Sequence, residues 1–94
     1  MAVAIQMDFA GGTLDQYDRV IARMGFEPRG PGAPEGLFHW VAKTEDGIRV
    51  TDVWTSREAF DAFAQAQIGP ITQSMGLEPP KLKVLELHNY LTAG

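Results

Sequence analysis

Ile48-Arg49-Val50-Thr51-Asp52-Val53-Trp54-Thr55-Ser56-Arg57-Glu58-Ala59-Phe60-Asp61-Ala62-Phe63 reads as a strand that runs straight into a helix. Ile48, Val50, Val53 and Trp54 are β-branched or aromatic and suit a pleated, half-buried surface. Ser56 then offers its hydroxyl to the open amides of a first turn, and Glu58 complements the positive end of the helix dipole. Phe60, Phe63, Ala64 and Ile68 follow at helical spacing. The other segments are placed by how they cover this unit.

Just upstream, Glu45-Asp46-Gly47 predicts a hairpin turn, because Asp-Gly before a strand is a strong short-range signal. It joins a second strand, Gly36 to Thr44, to a third, Gly47 to Thr55. Glu27 to Glu35 carries Pro28, Gly30, Pro31, Gly32 and Pro34 and is a loop, either a cover over a pocket or a plain connector. Ala2 to Phe9 alternates Val3, Ile5, Met7 and Phe9 with polar or small residues, which predicts the first strand. Thr13-Leu14-Asp15-Gln16 has the capping-box form. The helix behind it puts Leu14, Tyr17, Val20, Ile21 and Met24 on one stripe, and Gly25 suits its left-handed stop.

Downstream, the second helix runs from Ser56 to about Ala66. Ile68-Gly69-Pro70 predicts an interruption, since Pro70 has no amide to donate, and Ile71 to Met75 a short continuation. Glu78-Pro79-Pro80 is an extended linker, and Lys81 to Leu91 a fourth strand. The order is β-α-β-β-α-β, the ferredoxin-like α+β arrangement. It predicts a single domain over residues 1–94, a four-stranded antiparallel sheet with two helices on one face.

A chain of 94 residues buries only about 60–65% of its unfolded surface, so a second copy would help it. A 45% hydrophobic composition argues against disorder. The net charge of -4, with scattered Lys and Arg, argues against a nucleic-acid partner. The absence of cysteine removes disulfides, thiolate nucleophiles and Cys-based metal sites. No apolar run spans a membrane and no signal peptide is visible, so a cytoplasmic protein is expected. The two histidines lack ligand spacing, and no nucleotide-binding glycine motif is present, so no metal and no cofactor are expected.

Two helices cover one face of such a sheet, and the other face should then be polar. Here both faces of the second strand are apolar: Leu37, His39 and Val41 on one, Phe38, Trp40 and Ala42 on the other. Leu82, Val84 and Tyr90 oppose Leu85, Leu87 and Leu91 in the fourth. An exposed apolar face of this kind predicts an interface. The simplest one is a homodimer packed sheet against sheet, with a cover of loops as the alternative.

Val53-Trp54-Thr55-Ser56-Arg57-Glu58-Ala59-Phe60, in a chain of this order and length, resembles the dimeric α+β barrel superfamily, in particular its antibiotic-biosynthesis-monooxygenase group. The resemblance implies two sheets paired into a barrel and a small-molecule pocket between sheet and helices. Several members are cofactor-free monooxygenases of aromatic polyketides, and related ones degrade haem. It also implies that Trp54 lines the pocket. Many members carry a histidine in the second helix; the matching stretch here, Asp61-Ala62-Phe63-Ala64, has none, which removes that haem ligand. The first-strand asparagine of the haem-degrading members has no clear match either, with Gln6 or Asp8 nearby.

The hairpin decides which residues could carry chemistry. A two-residue Asp46-Gly47 turn sets His39 opposite Trp54; a four-residue loop, Thr44 to Gly47, sets His39 opposite Asp52. Either register puts His39, Asp52 and Trp54 on one face. If Trp54 lines a pocket, His39 and Asp52 line it too. A carboxylate beside an imidazole fixes its tautomer and raises its basicity, so His39 and Asp52 are the candidate catalytic pair. Trp54, Tyr17, Phe60, Phe63 and His88 are the candidate ligand contacts, around a small apolar or aromatic ligand. The alternative is a core histidine bonded to Asp52, with Trp54 as packing. His88 and Asn89 face opposite ways, so one pocket takes at most one of them, and a role in the dimer contact is the alternative. Two functions follow: cofactor-independent oxidation of a small aromatic or polyketide-like substrate, or a non-catalytic dimeric ligand-binding or assembly module.

Overall fold

Alternation builds the first strand: Val3, Ile5, Met7 and Phe9 are buried, and the residues between them are not. The computed structural model describes residues 1–92, so the last two of the expected domain lie outside the described residues. In chain order the elements are β1 (Val3–Ala10), α1 (Leu14–Met24), β2 (Gly36–Lys43), β3 (Gly47–Trp54), α2 (Arg57–Phe63), α3 (Gly69–Ser74) and β4 (Lys81–Glu86). The strands form one antiparallel sheet in the order β2-β3-β1-β4. The helices cover one face, where Val20, Phe60 and Leu77 pack on Ile5, Ile48, Val50 and Trp54. This is the ferredoxin-like α+β fold.

The caps form as their residue types require. Thr13 Oγ1 accepts from the Gln16 amide at 3.1 Å, and the Thr13 amide donates to Gln16 Oε1 at 3.0 Å. Gln16 then donates to the Met75 carbonyl at 3.3 Å, which ties the start of α1 to the end of α3. Gly25 ends α1 at φ 89, and Ser56 Oγ accepts from the Ala59 amide at 3.1 Å.

Two expectations need correction. Ile68-Gly69-Pro70 does not break the helix. A π-helical turn, Ala64–Ile68, carries it from α2 into α3, and the Gly69 amide donates to the Ala64 carbonyl five residues back. Pro70 directly follows this widened turn, as the second residue of α3. The fourth strand ends at Glu86, not Leu91. β4 is an edge strand paired only with β1; Glu86 faces Val3, and the Leu87 amide makes the last bond, to the Ala2 carbonyl. Val3, the partner of Glu86, is the first residue of β1, so the ladder stops there.

The hairpin takes the four-residue loop. Lys43 pairs with Ile48 and His39 with Asp52, with an irregularity between Gly36 and Phe38. Gly47 is required by a close approach. A Cβ there would lie 2.0 Å from the Phe9 carbonyl oxygen, where the loop meets β1 and the Gly11 amide donates to the Asp46 carbonyl.

The helix-free face is graded. One row across all four strands, Phe38, Val53, Ala4 and Leu85, is apolar. The next is Trp40, Thr51, Gln6 and Lys83, and the third, Ala42, Arg49, Asp8 and Lys81, is mostly charged. In that third row Arg49 Nε donates to Asp8 at 2.7 Å and holds the Asp8 carboxyl below the usual carboxylate range. Phe38, Trp40 and Leu85 are exposed.

Thr13→Ala is expected to cost about 1 kcal/mol through the lost cap, read as a lower urea midpoint; an unchanged midpoint would mean the cap carries no stability. Gly47→Ala is expected to cost about 3 kcal/mol or more, because backbone has to move to admit the methyl. A variant as stable as its parent would rule out so close a contact with β1.

Candidate functional site

The register that pairs His39 with Asp52, and the two-residue repeat that puts Trp54 on the same face of β3, bring three polar side chains together. His39 Nδ1 lies 2.5 Å from Asp52 Oδ1, and Trp54 Nε1 donates to Asp52 Oδ2 at 3.0 Å. Asp52 therefore accepts on both oxygens. The donor to Oδ1 is Nδ1–H, since a carboxylate oxygen only accepts, and in a neutral ring Nε2 is then an acceptor. The Tyr17 hydroxyl, reaching across from α1, is hydrogen-bonded to that Nε2 and donates to it when the ring is neutral. The two rings lie nearly parallel, at 13°, with centroids 5.8 Å apart.

The chain runs from the interior outward. Asp52 and Trp54 are 5% and 4% exposed, whereas the His39 side chain, on edge strand β2, is 39% exposed. Tyr17 is half-buried. Burial first, then the carboxylates of Asp52 and Asp18, push its phenol up from an ordinary 10.0 to about 12. Tyr17 therefore keeps its proton throughout the neutral range.

Phe60 and Phe63 pack on Trp54, with ring centroids 5.9 and 5.1 Å away. Phe26 meets Phe63 at 6.3 Å. The loop of residues 27–35 ends beside this cluster. Ala33 packs on the core, Gly36 backs onto the Trp54 ring, and the Thr55 hydroxyl donates to Glu35 at 2.5 Å. These aromatic rings pack together between sheet and helices. Among the open clefts of the described residues, a larger one, about 350 Å³, lies across β1 and β4 and is lined by Met1, Val3, Arg57, Glu58, Val84 and Glu86. A smaller one, about 160 Å³, lies between Thr13 and Lys43. Neither is lined by His39, Asp52 or Trp54.

Of the residues singled out from sequence, the fold thus gathers Tyr17, His39, Asp52, Trp54, Phe60 and Phe63. It leaves His88 apart, exposed beyond the end of β4, at the sheet edge opposite His39. Two contacts escaped the sequence reading. The Trp54 indole donates to Asp52, a link that the two-residue spacing on one strand face could have suggested. The Tyr17 hydroxyl occupies Nε2, a link between α1 and β2 that nothing local specifies. Among the described residues, no three His, Cys, Asp or Glu side chains converge to hold a metal, and no helix is long and apolar enough to cross a membrane.

No family model matches this sequence, and no curated protein matches it in sequence. Solved structures do match. The chain is similar to a protein of Chloroflexus aurantiacus assigned to the antibiotic biosynthesis monooxygenases, with TM-score 0.67, 18% identity and 100% of both chains covered. A Deinococcus radiodurans protein with the same assignment gives TM-score 0.59 at 11% identity, over 100% of this chain and 99% of that one. SnoaB, a cofactor-independent oxygenase from Streptomyces nogalater, gives TM-score 0.57 at 23% identity, over 98% and 97%. At these identities the likeness is one of fold: the ferredoxin-like fold of the antibiotic-biosynthesis-monooxygenase structures.

The chain has two tyrosines. In an ultraviolet titration, one is expected to ionise near pH 12, and that step to vanish in Tyr17→Phe. A phenol whose folded pKa is raised supports folding fully below its unfolded value, about 10, and loses that support as pH climbs to about 12. Alkaline destabilisation over that window should be shallower in Tyr17→Phe. Two tyrosines ionising together in the parent would contradict the half-buried setting of the Tyr17 phenol.

Proposed function

We propose that the protein binds a small aromatic or polyketide-like molecule and oxidises it with dioxygen, without a cofactor, using His39 as the base. The observation that carries this reading is the hydrogen-bonded chain from Trp54 through Asp52 to His39. An electron-rich aromatic supplies its own electrons once deprotonated, so its enzyme needs a base, an apolar surround and little else. Asp52 holds Nδ1–H and stabilises the imidazolium that forms, which leaves Nε2 to take the proton. The exposed side of His39 is the route of approach. A substrate hydroxyl either replaces that of Tyr17 at Nε2 or passes its proton through it. Trp54, packed on Phe60 and Phe63 and bonded to Asp52, would offer aromatic surface close to the base. The fold shared with SnoaB supports the reaction class by analogy only, since one fold hosts many functions.

The second reading is a non-catalytic dimeric module that binds a small apolar ligand or assembles. The packing of Trp54 on Phe60 and Phe63 favours it, because those rings pack together between sheet and helices, where a substrate would sit. Both readings include a homodimer. The apolar row of Phe38, Val53, Ala4 and Leu85 supports one, since a second copy would cover it sheet to sheet.

Oxygen uptake with aromatic substrates is expected to need no added flavin, haem or metal. His39→Ala should lower kcat by about 10²–10⁴-fold, the usual worth of a positioned base, with folding retained. Uptake unchanged by that substitution would end the catalytic reading and leave the binding or assembly module. In sedimentation the protein is expected to run as a dimer at micromolar concentration; a monomer there would end the sheet-to-sheet pairing.

A further inference from the structure

The Tyr17 contact has a chemical consequence of its own. Oxidising a phenol by one electron is hard when the proton stays on oxygen, because the radical cation is a strong acid. A base already hydrogen-bonded to the hydroxyl removes that obstacle, since the proton can leave along the existing bond as the electron departs. His39 Nε2 stands at that position, and its other nitrogen is paired with Asp52 at 2.5 Å.

We propose that Tyr17 is a redox-active side chain, giving up one electron while its phenolic proton passes to Nε2 of His39. The Tyr17 O–H bond breaks and an N–H bond forms on the imidazole. The electron goes to an external one-electron oxidant, an organic oxyl or peroxyl radical, which is reduced to its anion. Tyr17 is left as a neutral tyrosyl radical, and His39 as an imidazolium held by the Asp52 carboxylate. Asp52 is in turn held by the Trp54 indole, so the acceptor is oriented before the electron moves. A one-electron reductant reverses the step, and the proton returns along the same bond. Burial favours this route over loss of the proton to water, because it pushes the Tyr17 phenol up to about 12. This holds whether or not the protein is an oxygenase, because the step needs no substrate pocket.

The other tyrosine, Tyr90, lies exposed beyond β4 and serves as the control. The test uses Tyr90→Phe protein, in which Tyr17 is the sole tyrosine, and photogenerated ruthenium(III) tris-bipyridine as the oxidant. Electron paramagnetic resonance is expected to detect a neutral tyrosyl radical, and transient absorption to find its formation slower in D₂O than in H₂O. Adding His39→Gln, which keeps a polar side chain but removes the base, should slow formation by about 10²-fold, the low end of what a positioned proton acceptor contributes. Circular dichroism checks that this variant folds. If it does not, the isotope effect on the His39-containing protein and the comparison with Tyr90 decide together. A tyrosyl radical formed at the same rate in His39→Gln, or without an isotope effect, would overturn the proposal. So would a Tyr17 radical formed no faster than that of Tyr90 in Tyr17→Phe protein.

Discussion

A carboxylate is tolerated inside a protein only where its charge is answered, and Asp52 is answered twice. His39 occupies one oxygen and the Trp54 indole the other. Removing either donor would leave a buried lone pair unsatisfied, at a cost of about 1–3 kcal/mol. The rest of the site follows from this. Trp54 must lie with its N–H toward Asp52, which turns its ring toward Phe60 and Phe63. His39 must present Nδ1–H inward, which points Nε2 outward to Tyr17. One buried charge thereby fixes a tautomer, a ring orientation and the direction in which a proton can travel.

The sheet makes this arrangement possible by setting consecutive rows under the helices. Gly36, Trp54, Val3 and Glu86 form one row, and His39, Asp52, Ile5 and Val84 the next. The polar chain therefore occupies the β2–β3 side, while the larger open cleft lies on the β1–β4 side, with apolar sheet residues between them. The gradient on the opposite face is independent of the site. Its apolar row and its Asp8–Arg49 row belong to the same strands but to the outward-pointing residues. A substitution at Trp40 or Leu85 therefore tests association without touching His39.

The two proposals would use Tyr17 in different ways at one atom. In the first, its hydroxyl occupies the acceptor that a substrate proton would seek. In the second, a phenol bonded to a base would lose a hydrogen in two parts, electron and proton. The first use requires the tyrosine to yield its place or relay a proton, and the second requires it to stay. Both proposals depend on the same imidazole of β2, held by Asp52 of β3 and met by Tyr17 of α1.

The sequence by itself determined what depends on neighbours along the chain. Thr13 and Gln16 are three residues apart and cap α1 as their chemistry demands, and Gly25 ends it. The two-residue repeat put His39, Asp52 and Trp54 on one face in either hairpin register, and the order of elements specified the ferredoxin-like sheet. Only the tertiary structure decided the rest. It chose the four-residue loop, and so paired His39 with Asp52 rather than Trp54, because the hairpin must also fit against Phe9 and Gly11 of β1 and its turn. It ended β4 at Glu86, because an edge strand lasts only as long as its partner. It carried the helix past Pro70 through a π turn, because Ala64 and Ile68 gain core contacts that a break would forfeit. It also brought Tyr17 to His39, 22 residues away, a contact that no pattern in either segment encodes. Local sequence specifies local hydrogen bonds and faces; which faces meet is settled by packing the whole chain at once.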